Sequence, residues 1–183
     1  MDTASPPGSV DIVRLAGPSL PALLARILEL EEQVLAELGT RYSHERWTEA
    51  HLRTERPDKW RLSAAALDGG RVVGYAIASR DGRTAHVHRI AVRREARGQG
   101  IARGLVEWIE AEARIMGLGE LRTSVADANH RALAFWRRLG FRPVEGAALE
   151  AYAARRGLPV SGSCYLAGGN RYRVLRRAVR DRA

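Results

Sequence analysis

Two histidines one residue apart, His86 and His88, stand shortly before a glycine-bearing turn, Arg97-Gly98-Gln99-Gly100-Ile101-Ala102. An imidazole with a pKa near 6.5 can take a proton at neutral pH, and an amine attacks a carbonyl only through a free lone pair. Residues i and i+2 of a strand share a face, so both rings would point the same way. Taken alone, such a pair fits a surface or a hydrogen-bonded core as well as a catalytic site. Gly98 and Gly100 permit a sharp turn that presents unpaired backbone N–H groups at the positive end of a following helix. That cradle suits a phosphate or diphosphate, although a glycine turn can also do no more than end a strand.

These residues need a strand before the turn and a helix after it, and both are written in the chain. Ile90-Ala91-Val92 is an apolar run of strand character, and Ile101, Leu105, Val106, Ile109 and Ala113 recur at helical spacing. The predicted order is strand, anion loop, helix.

Arg97-x-x-Gly100-x-Ala102, preceded by Ile90-Ala91-Val92, resembles the acyl-CoA signature of the GNAT N-acetyltransferase superfamily (Arg or Gln, x, x, Gly, x, Gly or Ala). Asn129, Ala132, Phe135, Trp136, Leu139, Gly140 and Phe141 resemble the superfamily's second helix-and-strand pattern. Neither a Walker loop nor a Rossmann fingerprint fits, because no Gly-Lys-Ser/Thr follows and three spaced glycines are lacking. The resemblance implies an α/β fold with a mixed, largely antiparallel central sheet flanked by helices. The strands around Ile90–Val92 and Thr123–Val125 would splay apart, and the pantetheine arm of acetyl-CoA would lie between them, held by backbone groups of Ile90, Ala91 and Val92. An N–H near Ala91 or Val92 would polarise the thioester carbonyl where negative charge develops. Gly98, Gln99, Gly100, Ile101 and Ala102 would hold the diphosphate, with Arg97 adding positive charge. Asn129 would contact the cofactor or a water, with a plain helix cap as the other reading, and Trp136 would pack against the arm.

Ala85-His86-Val87-His88 resembles the His-x-His strand of arylalkylamine N-acetyltransferases, in which the pair relays the amine proton outward. The implied catalytic residues are His88 and His86. Two positions depart from the family pattern. Trp136 stands where a tyrosine usually protonates the departing thiolate, and an indole N–H cannot deliver a proton. Tyr165 or Tyr172 could reach in, or the thiolate, with a thiol pKa near 8.5, could leave unassisted. Arg94 replaces the proline common in this loop. The implied reaction moves an acetyl group from acetyl-CoA to a primary amine of a small molecule by direct attack in a ternary complex, with no metal. A protein or aminoacyl-tRNA amine, or a catalytically silent acyl-CoA-binding module, are the alternatives.

The elements that must carry these residues follow in order. Residues 1–9 read as a flexible tail and 10–183 as one domain. Val10–Leu15 alternates as a strand, and Leu20–Leu38 carries an apolar stripe (Leu23, Leu24, Ile27, Leu30, Val34, Leu35, Leu38) ended by Gly39. Thr40–Trp60, with Tyr42, His44, Trp47 and His51, falls where the family places helices over the acceptor pocket. Arg61–Leu67 and Arg71–Ser79 read as a hairpin joined by Asp68-Gly69-Gly70, and Arg83–Val92 as the next strand. A helix to Met116, a strand Leu121–Ala126, a helix capped by Asp127 or Asn129, a strand opened by Phe141 and a helix Ala147–Arg156 come next. Pro159–Gly169 reads as a loop long enough to close over an acceptor, before a final strand Tyr172–Val179.

Composition narrows the classes. Hydrophobic residues at 45% and charged residues at 28% describe a folded globular chain of single-domain size. The net charge is +9 with pI near 10.8, and Lys59 is the only lysine. A basic surface tolerates plain solvation and also suits anionic partners, coenzyme A among them. The densest basic run is Arg171, Arg173, Arg176, Arg177, Arg180 and Arg182, readable as solvated edge residues or as an RNA or acidic-acceptor surface. The single cysteine, Cys164, excludes an intrachain disulfide framework and reads as structural. No apolar run reaches membrane-spanning length and the N-terminus lacks a signal-peptide core, so a cytoplasmic protein without membrane contact is expected, with a homodimer as one assembly open to it.

Overall fold

The computed structural model describes residues 10–38 and 47–180. The expected tail, the helix stop at Gly39, Tyr42, His44 and Arg182 lie outside the described residues. Strand β1 (Val10–Arg14) leads into α1 (Leu20–Leu38), followed by two short helices, α2 (Glu49–Arg53) and α3 (Lys59–Leu62). Then come β2 (Ala64–Asp68), β3 (Arg71–Asp81), β4 (Thr84–Val92), α4 (Ile101–Ile115), β5 (Glu120–Ala126) and α5 (His130–Arg138). The chain continues through β6 (Arg142–Pro143), α6 (Gly146–Ala154), β7 (Val160–Ser161), β8 (Cys164–Ala167) and β9 (Asn170–Ala178).

The strands form one sheet in the order β1-β2-β3-β4-β5-β9-β8-β7, with β6 also paired to β9. Every pairing is antiparallel except β4 with β5. This is the mixed, largely antiparallel sheet expected. On one face, Leu105, Val106 and Ile109 of α4 and Leu133 and Trp136 of α5 pack over Ala76, Ala78, Ala85, Val87 and Leu121. The small side chains of Ala76, Ala78 and Ala85 let the helices sit close. On the other face Leu23, Ile27 and Leu30 of α1 cover Tyr75, Ile77 and Ala91, while Leu149 and Tyr152 of α6 cover Tyr165 and Val174.

Two expectations need correction, at α3 and at Pro159–Gly169, and α1 holds a buried acid besides its apolar stripe. Arg61 and Leu62 close α3, so the strand starts at Ala64; Lys59 ties α2 to α3 by donating to the carbonyls of Leu52 and Thr54. Glu31 lies on the buried stripe of α1, only 3% exposed, where an apolar pattern places no acid. Pro159–Gly169 is no open loop but the hairpin β7–β8, tightened by Gly162 at φ 59° and joined to β9 by Gly168 at 53° and Gly169 at 76°. Buried Cys164 and Tyr165 anchor it to the sheet. Among the described residues no helix is long and apolar enough to cross a membrane.

Candidate active site

The parallel β4–β5 ladder stops early. Thr84 to Val87 pair with Glu120 to Thr123, but β4 runs on to Val92 and β5 to Ala126 without further pairing. The divergence leaves a cleft of about 230 Å³ between the strands, reached by His88, Ser124, Asn129, Trp136 and Tyr172. Backbone groups in it follow from the ladder on the other edge of β4. Arg93 N–H donates to the Val73 carbonyl at 2.8 Å, and Ala91 stands opposite Tyr75. Antiparallel alternation therefore commits the Ala91 N–H to β3 and turns those of Ile90 and Val92 toward the gap. Of the two N–H groups expected to polarise a carbonyl, the strand offers Val92.

The glycine turn sits at the wide end. After a 3-10 turn at Arg94–Ala96, Gly98 and Gly100 adopt φ of 82° and 81°, a region costly to residues with a Cβ, and α4 begins at Ile101. The first backbone bond of α4 runs from Gly104 N–H to the Gly100 carbonyl. The N–H groups of Gly98 to Arg103 have no backbone acceptor among the described residues. They are a ready anion site at the positive end of the α4 dipole. Arg97 faces the other way. Its Nε donates to the Val92 carbonyl at 3.0 Å and its Nη1 pairs with Glu37 of α1 at 2.7 Å, so it braces the turn against α1. Gly74 lets α4 approach, since a Cβ there would stand 3.1 Å from Ile101 and 3.2 Å from the Ala91 carbonyl.

At the narrow end the imidazoles of His86 and His88 meet with centroids 4.7 Å apart. His88 borders the cleft, and its Nε2 lies 2.7 Å from Ser79 Oγ. His86 is buried, with Nδ1 lacking any hydrogen-bond partner among the described residues. Burial pushes the His86 pKa down to about 4, helped by the Arg156 and Arg122 guanidiniums. Burial likewise pushes His88 down to about 3, with His86 the next cause. Both rings are neutral at pH 7.

A β-bulge sets their orientation. The β3–β4 register shifts where Ile77 pairs with Arg89 and Ala78 with Val87, leaving His88 as the extra residue. Arg89 then turns toward α1 and forks onto Glu31 at 3.0 and 2.9 Å, while Tyr75 O–H donates to the same carboxylate at 2.5 Å. Glu31, Tyr75, Arg89 and Ser79 are site residues that the sequence reading missed. A buried acid in an amphipathic stripe, one turn from apolar neighbours, was the signal for the first.

A family model for the acetyltransferase (GNAT) family matches residues 25–141, which hold the gap, the glycine turn and the imidazole pair. The chain belongs to the GNAT acetyltransferase family. Its members are acyl-CoA-dependent acetyltransferases that use acetyl-CoA. Solved structures share the GNAT fold. A ribosomal-protein alanine N-acetyltransferase from Escherichia coli superposes with TM-score 0.64 at 18% identity, over 96% of this chain and 97% of that one. The PaiA N-acetyltransferase from Thermoplasma acidophilum, in complex with coenzyme A, gives 0.62 at 14%, over 93% and 99%. Nourseothricin acetyltransferase gives 0.51 at 23%, over 64% and 65%. No curated protein sequence matches the chain.

Coenzyme A fits what this GNAT chain presents: free N–H groups at the α4 terminus for a diphosphate, and an unpaired strand edge for an extended arm. On the opposite wall, Asn129 Oδ1 accepts from the Ala132 N–H at 3.1 Å and caps α5, and its amide nitrogen has no partner among the described residues. Trp136 is 2% exposed and packs edge-on against Phe135 and Phe141 at 5.1 and 4.7 Å. Its bulk is core, with one edge on the cleft. Tyr172 borders the cleft, whereas Tyr165 lies behind it, stacked on Tyr172 at 5.3 Å, and burial raises its pKa to about 12. Ser124, also on the cleft, shares a hydrogen bond with Tyr152 at 3.1 Å.

Proposed function

We propose that the chain transfers an acetyl group from acetyl-CoA to a primary amine by direct attack within a ternary complex. The observation that carries this reading is the unpaired β4–β5 gap, with the imidazole pair at one end and, at the other, six N–H groups, Gly98 to Arg103, that have no backbone acceptor among the described residues. Bound acetyl-CoA supplies the activated thioester carbonyl. Gly98, Gln99, Gly100, Ile101 and Ala102 bind its diphosphate through backbone N–H groups. The Val92 N–H, with that of Ile90, draws the carbonyl oxygen and favours the charge that develops there. Asn129 and Trp136 line the arm.

His88 accepts a hydrogen bond from the entering amine and passes its proton toward His86. A ring whose pKa is about 3 is a weak base toward a free ammonium of pKa near 10. Two effects narrow that gap. The desolvation that depresses the imidazoles also depresses an ammonium in the same cleft. A nitrogen already bonding to a carbonyl is also far more acidic than a free one. Tyr172, which borders the cleft, would supply a proton to the leaving thiolate, and a thiol of pKa near 8.5 can also leave without one.

The test is thiol release from acetyl-CoA across arylalkylamines, polyamines, amino acids, aminoglycosides and peptides, with coenzyme A binding measured in parallel. Turnover of one amine class supports the enzyme. Binding without turnover of any amine would instead make the chain a silent acyl-CoA-binding module.

A further inference from the structure

The expected basic run resolves into two groups when its partners are traced. Arg173 pairs with Asp127 at 2.5 Å, Arg177 with Glu110 at 2.8 Å and Arg180 with the same Glu110 at 3.4 Å. Those charges are used inside the fold.

The surplus lies elsewhere, in a row that only the sheet register shows. Arg142 of β6 stands opposite Arg176 of β9, Arg176 opposite Arg122 of β5, and Arg122 opposite His86 of β4. Residues directly opposite across strands share a face, and like charges so placed are destabilising. All four lie on the α6 face, because their chain neighbours Phe141, Leu175, Leu121 and Ala85 belong to the core under α4 and α5. Both Arg122 and Arg176 reach one carboxylate, Glu120. Arg142 is exposed and has no partner among the described residues, and the Arg176 side chain is 52% exposed. Arg122 and Arg156 lie over the ring of Tyr152, which itself stacks on His86, and Arg156 pairs with Asp81. A row of three guanidiniums with one shared counter-charge thus runs across the sheet and ends at the imidazole pair.

We infer that this row seats an acidic segment of a polypeptide acceptor whose free amine enters at His88. The inference rests on the acetyl-transfer reading and names its acceptor class. Three strand spacings of about 4.8 Å separate His86 from Arg142, roughly 14 Å, and an extended peptide covers that in about four residues at 3.3 Å each. The carboxylates therefore belong at about the second to fifth positions from the amine. A nucleic acid suits the row less well, because single strands are held by bases stacking on aromatic side chains as well as by charge, and among the described residues the exposed large hydrophobics, Ile115 and Val160, include no aromatic.

The test compares kcat/KM for seven-residue peptides with a free α-amine that differ only at positions two to five, as Asp/Glu, Gln/Ser or Arg. The acidic peptide is expected to lead the neutral one by about tenfold at low salt, from two exposed charge pairs, with the margin closing at high salt. Arg142→Glu with Arg176→Glu should remove the margin while leaving turnover of the neutral peptide and coenzyme A affinity unchanged. Fluorescence anisotropy of the labelled acidic peptide on the coenzyme A complex reads the same preference without turnover. Equal or reversed preference among peptides that do turn over would overturn the acceptor class and leave the transfer reaction standing. So would a short single-stranded RNA that displaces the acidic peptide at lower concentration, or turnover confined to small amines. No turnover with any amine, together with peptide binding, would sink the transfer reading but keep the docking surface; no peptide binding as well would sink both.

Discussion

Replacing Glu31 by Gln is the perturbation with the clearest consequence. Glu31 is 3% exposed and its carboxylate accepts two bonds from Arg89, whose side chain is 12% exposed, and one from Tyr75, which is fully buried. The amide keeps the shape but removes the carboxylate charge that the buried Arg89 guanidinium forks onto. Removing one partner of such a pair costs about 3–5 kcal/mol. For a domain of this size each kcal/mol moves Tm by about 2–4 °C, so a fall of roughly 6–20 °C is expected by thermal unfolding. Replacing the whole network by apolar side chains, Glu31→Leu with Arg89→Met and Tyr75→Phe, should recover most of that loss, because an apolar set of similar volume is close to neutral and no buried hydroxyl is left without its acceptor. Arg89 follows the bulge residue His88, so the triple variant should keep most of its Tm yet lose kcat against a peptide or amine substrate. A Tm change under 3 °C in Glu31→Gln would refute the argument, and full kcat in the stable triple variant would refute the link to His88.

Further predictions concern the turn, the imidazoles and the lone lysine. Gly100→Ala forces a Cβ into φ of 81° at a cost of about 1–2 kcal/mol, so Tm should fall by a few degrees and coenzyme A affinity by calorimetry should weaken about tenfold. Both imidazole pKa values lie below the unfolded value near 6.5, so the unfolded chain binds more protons as pH falls. Stability from this source is whole above about pH 6.5 and declines down to about pH 3, which denaturant melts across that range will read. By the same logic kcat/KM should show no acidic limb at 6.5 and should rise with pH toward the pKa of the acceptor amine. Lys59 is 1% exposed and its pKa is lowered by burial, so an amine-acylating reagent should modify it far more slowly in the native protein than in urea.

Much of this was legible in the sequence because the signals are local. The glycine turn, the helix after it and the paired histidines depend on spacing along one segment, and each stands where period and turn chemistry place it. The early end of the β4–β5 ladder followed from the family resemblance and not from the residues themselves. What escaped depends on groups far apart in the chain. Arg97 looks like a phosphate ligand until Glu37 of α1, sixty residues earlier, is found beside it. Arg142, Arg176 and Arg122 form a row only through cross-strand register, which no spacing along the chain encodes. The β7–β8 hairpin was hidden because its first strand has two residues, too short to show alternation, although Gly162 and the Gly168-Gly169 pair marked its turns. The bulge at His88 leaves no mark in composition at all.

The most direct measurement of the central claim is kcat/KM for amine acetylation by His88→Ala, set beside its coenzyme A dissociation constant. The account predicts a loss of about a hundredfold or more in kcat/KM, the range of a general base, with coenzyme A affinity unchanged. Equal loss of coenzyme A binding would mean that His88 holds the cleft together, and full activity would remove the imidazole pair from the chemistry.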